Sequence, residues 1–325
     1  MSSIASGSRA AGGPPGRQPV VAAFDFGGSK VAIAVTDLDG ARLASATLAT
    51  TPGRGARWNL DQAIGQAKDL LASLPAGTAL AAIGASTFGI PTDHGVLLSP
   101  AIPGWDRLDL RHELTGALGC PNARVRNDVK AAAEAEVASG ALVGADPAVY
   151  LNLGTGLAAA IVCGGRVVDG AEGAAGEIGY NLRQMGDLDA PPEARRRLED
   201  VASGMGLAAT GARATGAAIS AAGVFEREGT DHGLATLVDG FVGELSFHLV
   251  NLVVAINPQK VAVGGGIVRS WARIDKPLRR ALEQFVPFPP ELVLGAYPYD
   301  AALVGAITLG VREALARETT VADRP

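Results

Sequence analysis

One local pattern occurs twice in this chain, once in each half. The first copy is Phe24-Asp25-Phe26-Gly27-Gly28-Ser29-Lys30, followed by the apolar run Val31 to Val35. The second is Leu151-Asn152-Leu153-Gly154-Thr155-Gly156, followed by Leu157 to Cys163. Each reads apolar–polar–apolar, then a glycine and hydroxyl turn, then a second apolar run closed by Asp39-Gly40 or Gly164-Gly165. Period-two alternation interrupted by such turns specifies β-hairpins. A chain that builds the same hairpin in both halves is constrained to two similar lobes, and 325 residues are enough for two cores.

The spacing around the hairpins predicts the rest of an α/β fold. Strands are expected over Val20 to Phe26, Val31 to Thr36, Arg42 to Leu48, Leu80 to Ser86 and Val125 to Asp128 in the first half. Helices are expected over Asn59 to Leu74, with Asn59 as N-cap, and Ala131 to Ser139. Residues 87–106 read as a long loop, a length that usually carries function. In the second half, strands are expected over Ala148 to Leu153, Leu157 to Cys163, Arg166 to Val168 and Lys260 to Val263. Helices are expected over Glu193 to Ser203, Leu234 to Asn257, Asp275 to Phe285 and Asp300 to Arg317. Strands first, then alternating helices and strands, give two α/β lobes with a cleft between them.

Composition narrows the partners. The chain is 48% hydrophobic and 19% charged, with a net charge of −5, so it can bury a large core and has no basic footprint for nucleic acid. No run of about 20 apolar residues is free of charge and turn signals, so no membrane span is expected. Residues 1–19, rich in Ser, Gly, Ala and Pro, lack the apolar stretch of a secretory signal and are expected to be a disordered tail. Cys120 and Cys163 are the only cysteines, which points to a reducing, cytoplasmic setting and provides no cysteine-rich zinc site.

Glycine turns let backbone N–H groups approach an anion closely, and the hydroxyls add donors. Two of them, Gly27-Gly28-Ser29 and Gly154-Thr155-Gly156, are the jaws expected of a polyphosphate site, although neither has the Walker spacing. Asp25 is placed to organise a Mg²⁺–water shell and Lys30 to neutralise phosphate charge. Gly264-Gly265-Gly266 joins a strand to a helix and allows close backbone approach at the adenosine end of a nucleotide. Asp128, in Arg126-Asn127-Asp128, puts a carboxylate at a strand-to-helix junction, where it acts either as the base for a hydroxyl nucleophile or as a helix cap. Glu172, Glu177 and Glu199 are candidate hydroxyl binders. Arg195-Arg196-Arg197 reads as a solvated face, and His248 as partly buried structure.

Together these residues resemble the ROK family (repressors, open reading frames and kinases), bacterial sugar kinases of the actin-like, hexokinase-type superfamily, from about Val20 to Arg312. Asp25 to Lys30 resembles the family's D-x-G-G-T-K phosphate motif, and Leu153 to Leu157 its second phosphate motif. Asn127-Asp128 is similar to the N-D pair whose Asp is the base. Gly176-Glu177-Ile178-Gly179 resembles the G-E-x-G-H sugar motif. Leu198-Glu199 with Ala202-Ser203-Gly204 resembles the segment bearing a second sugar-binding Glu. The resemblance implies two actin-like (ribonuclease H-like) lobes: a small lobe of residues 20–129 with 301–325 and a large lobe of residues 130–300. It implies ATP with Mg²⁺ as phosphoryl donor, a hexose such as glucose as acceptor, and a homodimer. Only a short segment precedes the first strand, which favours the kinase branch over the repressors.

Three departures bear on the substrate. Tyr180 stands where the sugar motif has His. Ala101 stands where the family has a sugar-binding Asn. Met185 to Arg197 contains none of the cysteines that bind the family's structural zinc, so no zinc is expected and another device must order that segment. The retained Asp128, Glu177 and Glu199 imply preserved chemistry with altered recognition. The acceptor could then be another hexose, an amino sugar or a C7-cyclitol. The intact Asp25, Lys30 and Asp128 argue against a non-catalytic sensor, and the acidic charge against polyphosphate as donor.

Overall fold

The computed structural model describes residues 18–191, 194 and 196–322, with side chains as far as residue 316. The first lobe opens with a meander of β1 (Gln18–Phe26), β2 (Lys30–Thr36) and β3 (Arg42–Ala49). Helix α1 (Gly55–Ala72) leads to β4 (Thr78–Thr87), which lies parallel to β1. A small hairpin, β5 (Ile90–Thr92) and β6 (Gly95–Leu97), precedes α2 (Leu110–Leu118) and β7 (Ala123–Asn127). Helix α3 (Asp128–Ser139) crosses to β8 (Ala148–Leu153), β9 (Leu157–Cys163) and β10 (Arg166–Val167). Four helices follow: α4 (Glu199–Ala202), α5 (Gly204–Thr215), α6 (Ala221–Arg227) and α7 (His232–Ile256). The chain ends with β11 (Lys260–Gly264), α8 (Trp271–Phe285), β12 (Glu291–Leu294) and α9 (Ala301–Ala322).

The two main sheets have the same plan. Their orders are β3-β2-β1-β4-β7 and β10-β9-β8-β11-β12. In each, the first three strands are antiparallel and the last two join in parallel. Residues Val20 to Phe24 are wholly buried, as a central strand covered on both faces requires. β3, at the edge, alternates exposed and half-buried residues. One core gathers Phe24, Phe26, Leu60, Ile83 and Trp105, and the other Leu151, Val263, Phe241, Leu245 and Leu278.

Helix α9 returns from the second lobe to pack on β1 and β4 of the first, and it also packs along α3. Two glycines make these contacts possible. A Cβ on Gly305 would lie 1.9 Å from the Ala131 carbonyl oxygen, and one on Gly84 would lie 1.8 Å from that of Ala306. Small residues at both crossings thus let the backbones approach within van der Waals distance.

The structure corrects several expectations. Residues 1–17 of the expected tail lie outside the described residues, while Gln18 and Pro19 belong to β1. Asn59 is not an N-cap. It lies inside α1 and ties the entry turn, accepting from the Thr51 N–H at 2.8 Å and donating to the Gly55 carbonyl at 2.7 Å. The 87–106 segment holds β5, β6 and a 3-10 turn around Trp105, which is fully buried. Trp105 stacks on Phe88 and donates its indole N–H to Thr87 Oγ1 at 2.9 Å. The helix expected over Glu193 to Ser203 is reduced to the four residues of α4, with Arg197 in a bridge to Leu182; residues 192, 193 and 195 lie outside the described set. α2, α5, α6 and β12 were not anticipated. α7 is long and apolar enough to cross a membrane by length and composition, but it contributes Leu234, Val238, Phe241 and Leu249 to the second core.

Candidate active site

Both glycine hairpins point their turns at one cleft. In the first, the Gly27 N–H donates to the Lys30 carbonyl at 2.9 Å, and Thr50 Oγ1 donates to the Gly27 carbonyl at 2.8 Å, leaving Gly28, Ser29 and Lys30 exposed. In the second, the Gly154 N–H donates to the Gly156 carbonyl at 3.1 Å. The N-terminal turn of α5 covers it, through the N–H groups of Gly204 on the Gly154 carbonyl (2.9 Å) and Met205 on that of Thr155 (3.0 Å). The glycine run after β11 threads between these elements. A Cβ at Gly264 would meet the Tyr150 hydroxyl at 2.1 Å, and Gly265, at φ +89°, leaves 2.5 Å to the Leu153 carbonyl carbon.

Two cavities meet there. One of about 270 Å³ is lined by Asp25, Lys30, Asp128, Asn152, Gly265 and Asp300, among others. The other, about 410 Å³ and largely apolar, is bounded by Thr155, Met205, Ala222, Phe225 and Ile267, and Gly266 and Arg269 belong to both walls. A polar chamber joined to an apolar slot matches a phosphate chain joined to a flat heterocycle. The larger cavity of about 520 Å³ along the free edge of β7 touches Asn127 and Lys130 but contains neither hairpin nor Asp128.

Asp128 is the first residue of α3. The N-cap is Asn127, whose Oδ1 accepts from the Val129 and Lys130 N–H groups at 3.0 and 3.2 Å, while its amide donates to the Gly89 carbonyl at 3.0 Å. Asp128 Oδ1 also accepts the Val129 N–H at 2.9 Å, and the residue lines the polar chamber. Desolvation pushes the Asp128 carboxyl up to about 7, with the charges of Asp25 and Glu177 acting in the same direction and the Val129 N–H opposing them. Asp25 lies above the usual carboxylate range because of burial, partly offset by the Ser86 hydroxyl that donates to its Oδ1 at 2.8 Å and by Lys30.

On the far side of Asp128 lie the carboxylates expected for the acceptor. Burial raises Glu177, Lys130 opposes that, and Glu199 adds to it. Glu199 Oε2 accepts the Leu157 N–H at 3.1 Å and fills the space a Gly156 side chain would need, its oxygen 2.5 Å from such a Cβ. Tyr180 is 45% exposed and lies under the Arg197 guanidinium, 5.0 Å from its ring centroid. Ala101 is exposed and abuts Gly28, so it lies beside the first hairpin and lines neither chamber. Glu172 is exposed.

The segment without cysteines has its own ties. Buried Asp187 accepts from the Arg183 and Gln184 N–H groups, both at 3.1 Å. Arg183 is ion-paired to Glu244 on α7, with His248 one turn further along. The Leu198 N–H donates to the Asn181 carbonyl at 3.1 Å.

Sequence reasoning missed several residues of the cleft. Arg269 lies over the Tyr299 ring and lines both cavities, and Asp300 is paired with Arg42 at 2.5 Å. Lys130 is 3% exposed, and its Nζ donates to the Gly173 carbonyl. Only Asn152 had a signal, as the counterpart of Asp25 in the repeat.

The chain has relatives among known proteins. The family model described as "ROK family" matches residues 21–312. The bifunctional enzyme NanE/NanK of Brucella melitensis is 32% identical over 295 residues, covering 89% of this chain and 53% of its own length. The chain therefore spans about half of that relative. A ROK hexokinase from Thermus thermophilus superposes with a TM-score of 0.75 at 28% identity, covering 91% of this chain and 99% of its own. A ROK family glucokinase from Streptomyces griseus, solved with glucose and AMPPNP, gives 0.72 at 26% identity, with 90% and 99% coverage.

Proposed function

The chain belongs to the ROK family, and from that premise we propose that it is an ATP-dependent kinase acting on a hydroxyl, most simply a primary one, of a hexose or sugar-like polyol. The observation that carries this reading is Asp128, a carboxyl raised to about 7, set between a polar chamber and the acceptor carboxylates. A hydroxyl is a weak nucleophile, so a base in its reach must take the proton as the phosphoryl group transfers. A carboxylate that titrates near neutrality does this far better than one at its ordinary value. Asn127, Glu177, Glu199 and Tyr180 would orient the acceptor, and Ala101 would line its outer edge.

Gly27, Gly28, Ser29, Lys30 and Gly154 to Gly156 would hold the phosphates through N–H groups, hydroxyls and the ammonium. Gly264 to Gly266 and the apolar slot would take the adenosine. Asp25 fits Mg²⁺: Oδ1 is bonded to Ser86, and Oδ2 has no partner among the described residues. Among the described residues no group of three or more His, Cys, Asp or Glu forms a cage. That suits an ion held by one or two carboxylates, water and substrate phosphates. When bound, Mg²⁺ would neutralise charge developing on the phosphates. Two free cysteines fit a reducing, cytoplasmic setting, and the family suggests a homodimer.

The relatives support glucose as the first acceptor to test. The Tyr180 and Ala101 departures support a second reading, in which an amino sugar or C7-cyclitol is accepted instead. A site that gains a phenol and loses an amide re-weights each hydroxyl by about 1–3 kcal/mol. The test is ADP release with Mg-ATP over hexoses, amino sugars and cyclitols, with D128N as control. Turnover on one acceptor that disappears in D128N upholds the reading. ATP and acceptor binding without turnover on any compound replaces it with a sugar sensor.

A further inference from the structure

Two residues beyond Asp128 lies a buried cation that none of the motifs accounts for. Lys130 follows Asp128 by two residues on the first turn of α3 and is 3% exposed. A buried ammonium needs close partners. Its Nζ donates to the Gly173 carbonyl, midway along the 169–177 loop that ends in Glu177. The carboxylates facing it are Glu177 and Asp169, and the neighbouring cation is Arg126.

Further contacts hold the same loop: the Ala159 N–H of β9 donates to the Gly176 carbonyl at 2.8 Å, and the Ala175 N–H donates to the Asp169 carbonyl at 3.0 Å. Arg126, 11% exposed, reaches Asp169 at 2.8 Å and Glu134 at 2.5 Å. Gly173 packs so closely on β5 that a Cβ there would lie 2.8 Å from Ile90 Cγ2. The loop turns at Gly170, Gly173 and Gly176, all with positive φ. Its C-terminal end is held on β9 through Gly176, and its middle is fixed by the contacts with β5, β7 and α3.

We propose that Lys130 is a positioning residue: by holding Gly173 and facing Glu177, it fixes both the place and the charge of the carboxylate that meets the acceptor. The catalytic consequence rests on the kinase reading, whereas the mechanical tether does not. The titration directions agree with the geometry. Burial lowers Lys130 and raises Glu177, and each opposes the shift of the other. The other charges acting on Glu177 are Glu199 and, through their mutual repulsion, Asp128. With Lys130 removed, only carboxylates face it, and it takes up a proton at higher pH.

The test uses the full chain with K130M, and K130Q should the first not fold. Without substrate, the amides of residues 170–177 are expected to exchange about tenfold faster in the variant while the rest of the lobe is unchanged. With the acceptor that the wild type phosphorylates, acceptor KM is expected to rise about tenfold and kcat to fall less than about threefold, with KM for ATP unchanged. The Glu177 carboxyl, followed by NMR titration, is expected to protonate about one pH unit higher in K130M, and K130R, which keeps a cation, to restore it. Wild-type exchange in the loop overturns the proposal whatever the activity. An unmoved Glu177 titration in a folded K130M does the same. If the wild type turns over no acceptor, the kinase reading fails by itself, and the exchange comparison and the Glu177 titration decide Lys130.

Discussion

At Asp128, burial and neighbouring carboxylates act in one direction, and that gives the residue a pH signature. Working as a base, it must be ionised, so kcat/KM is expected to rise through about pH 7 and level off above it. D128N should lower kcat by about 10²–10⁴-fold while leaving ATP binding intact; a rate profile flat from pH 5 to 9 would remove the base assignment. The same shift has a stability side. Because the folded value lies above the unfolded one, the native state holds a proton between roughly pH 4 and 7 that the unfolded chain has released. Stability from this group is therefore full below about pH 4 and is lost as pH rises through about 7. Asn does not titrate, so D128N should gain about 1–4 kcal/mol over wild type at pH 8 and little at pH 4, read by denaturant melts. Asp25 and Asp128 were legible in the sequence because each sits in a local motif. Lys130, Arg269 and Asp300 were not, because Gly173, Tyr299 and Arg42, the groups that give them meaning, are remote in sequence.

Among the elements, the stretch from Asn181 to Leu198 is the one whose order is least obvious. Its ties are the Asp187 turn, the Leu182–Arg197 bridge and the Arg183–Glu244 pair, whose side chains are 22% and 26% exposed. Breaking that pair leaves a charge partly desolvated against α7, so R183M is expected to cost about 1–3 kcal/mol and to speed amide exchange between residues 181 and 198. Unchanged exchange there would mean the Asp187 turn suffices. With these ties and no cysteine in the segment, elemental analysis of purified protein is expected to find no stoichiometric zinc. The helix expected over Glu193 to Ser203 shrinks to α4 because the bridge from Arg197 to Leu182 outweighs the local helix propensity of the charged residues. Helices α2, α5 and α6 did carry signals in their N-caps, Asp109, Ser203 and Ser220, each accepting a backbone N–H. In α5 and α6 glycine and alanine content masked them. β12, at four residues, is too short to read without its neighbour β11.

On the scale of the whole molecule, the repeated hairpin correctly implied a repeated sheet, since each hairpin is the β1–β2 or β8–β9 pair that seeds one. What it did not reveal is how closely the halves are sutured. α3 and α9 cross where Gly305 lies against the Ala131 backbone, one helical turn from Asp128. G305A must push the helices apart, with an expected loss of about 1–3 kcal/mol and a fall in kcat larger than any change in ATP binding. Wild-type turnover in that variant would show that the crossing does not set the base.

A frame with two matching halves has no head or tail, yet a nucleotide has both. The two hairpins differ in just the respects that break the tie. Between Phe26 and its partner Val31 the first turn has four residues, whereas between Leu153 and Leu157 the second has three, and the additional residue is Lys30. At the equivalent polar position the first copy carries Asp25 and the second Asn152, so one jaw holds a titratable charge and the other a neutral amide. The frame thereby acquires a polarity: on the kinase reading, the reactive end of the phosphate chain would lie at the jaw with the ammonium and the carboxylate, and the inert end at the other. On that reading, the direction of the ligand would be written into a duplicated scaffold by one insertion and one exchange of oxygen for nitrogen.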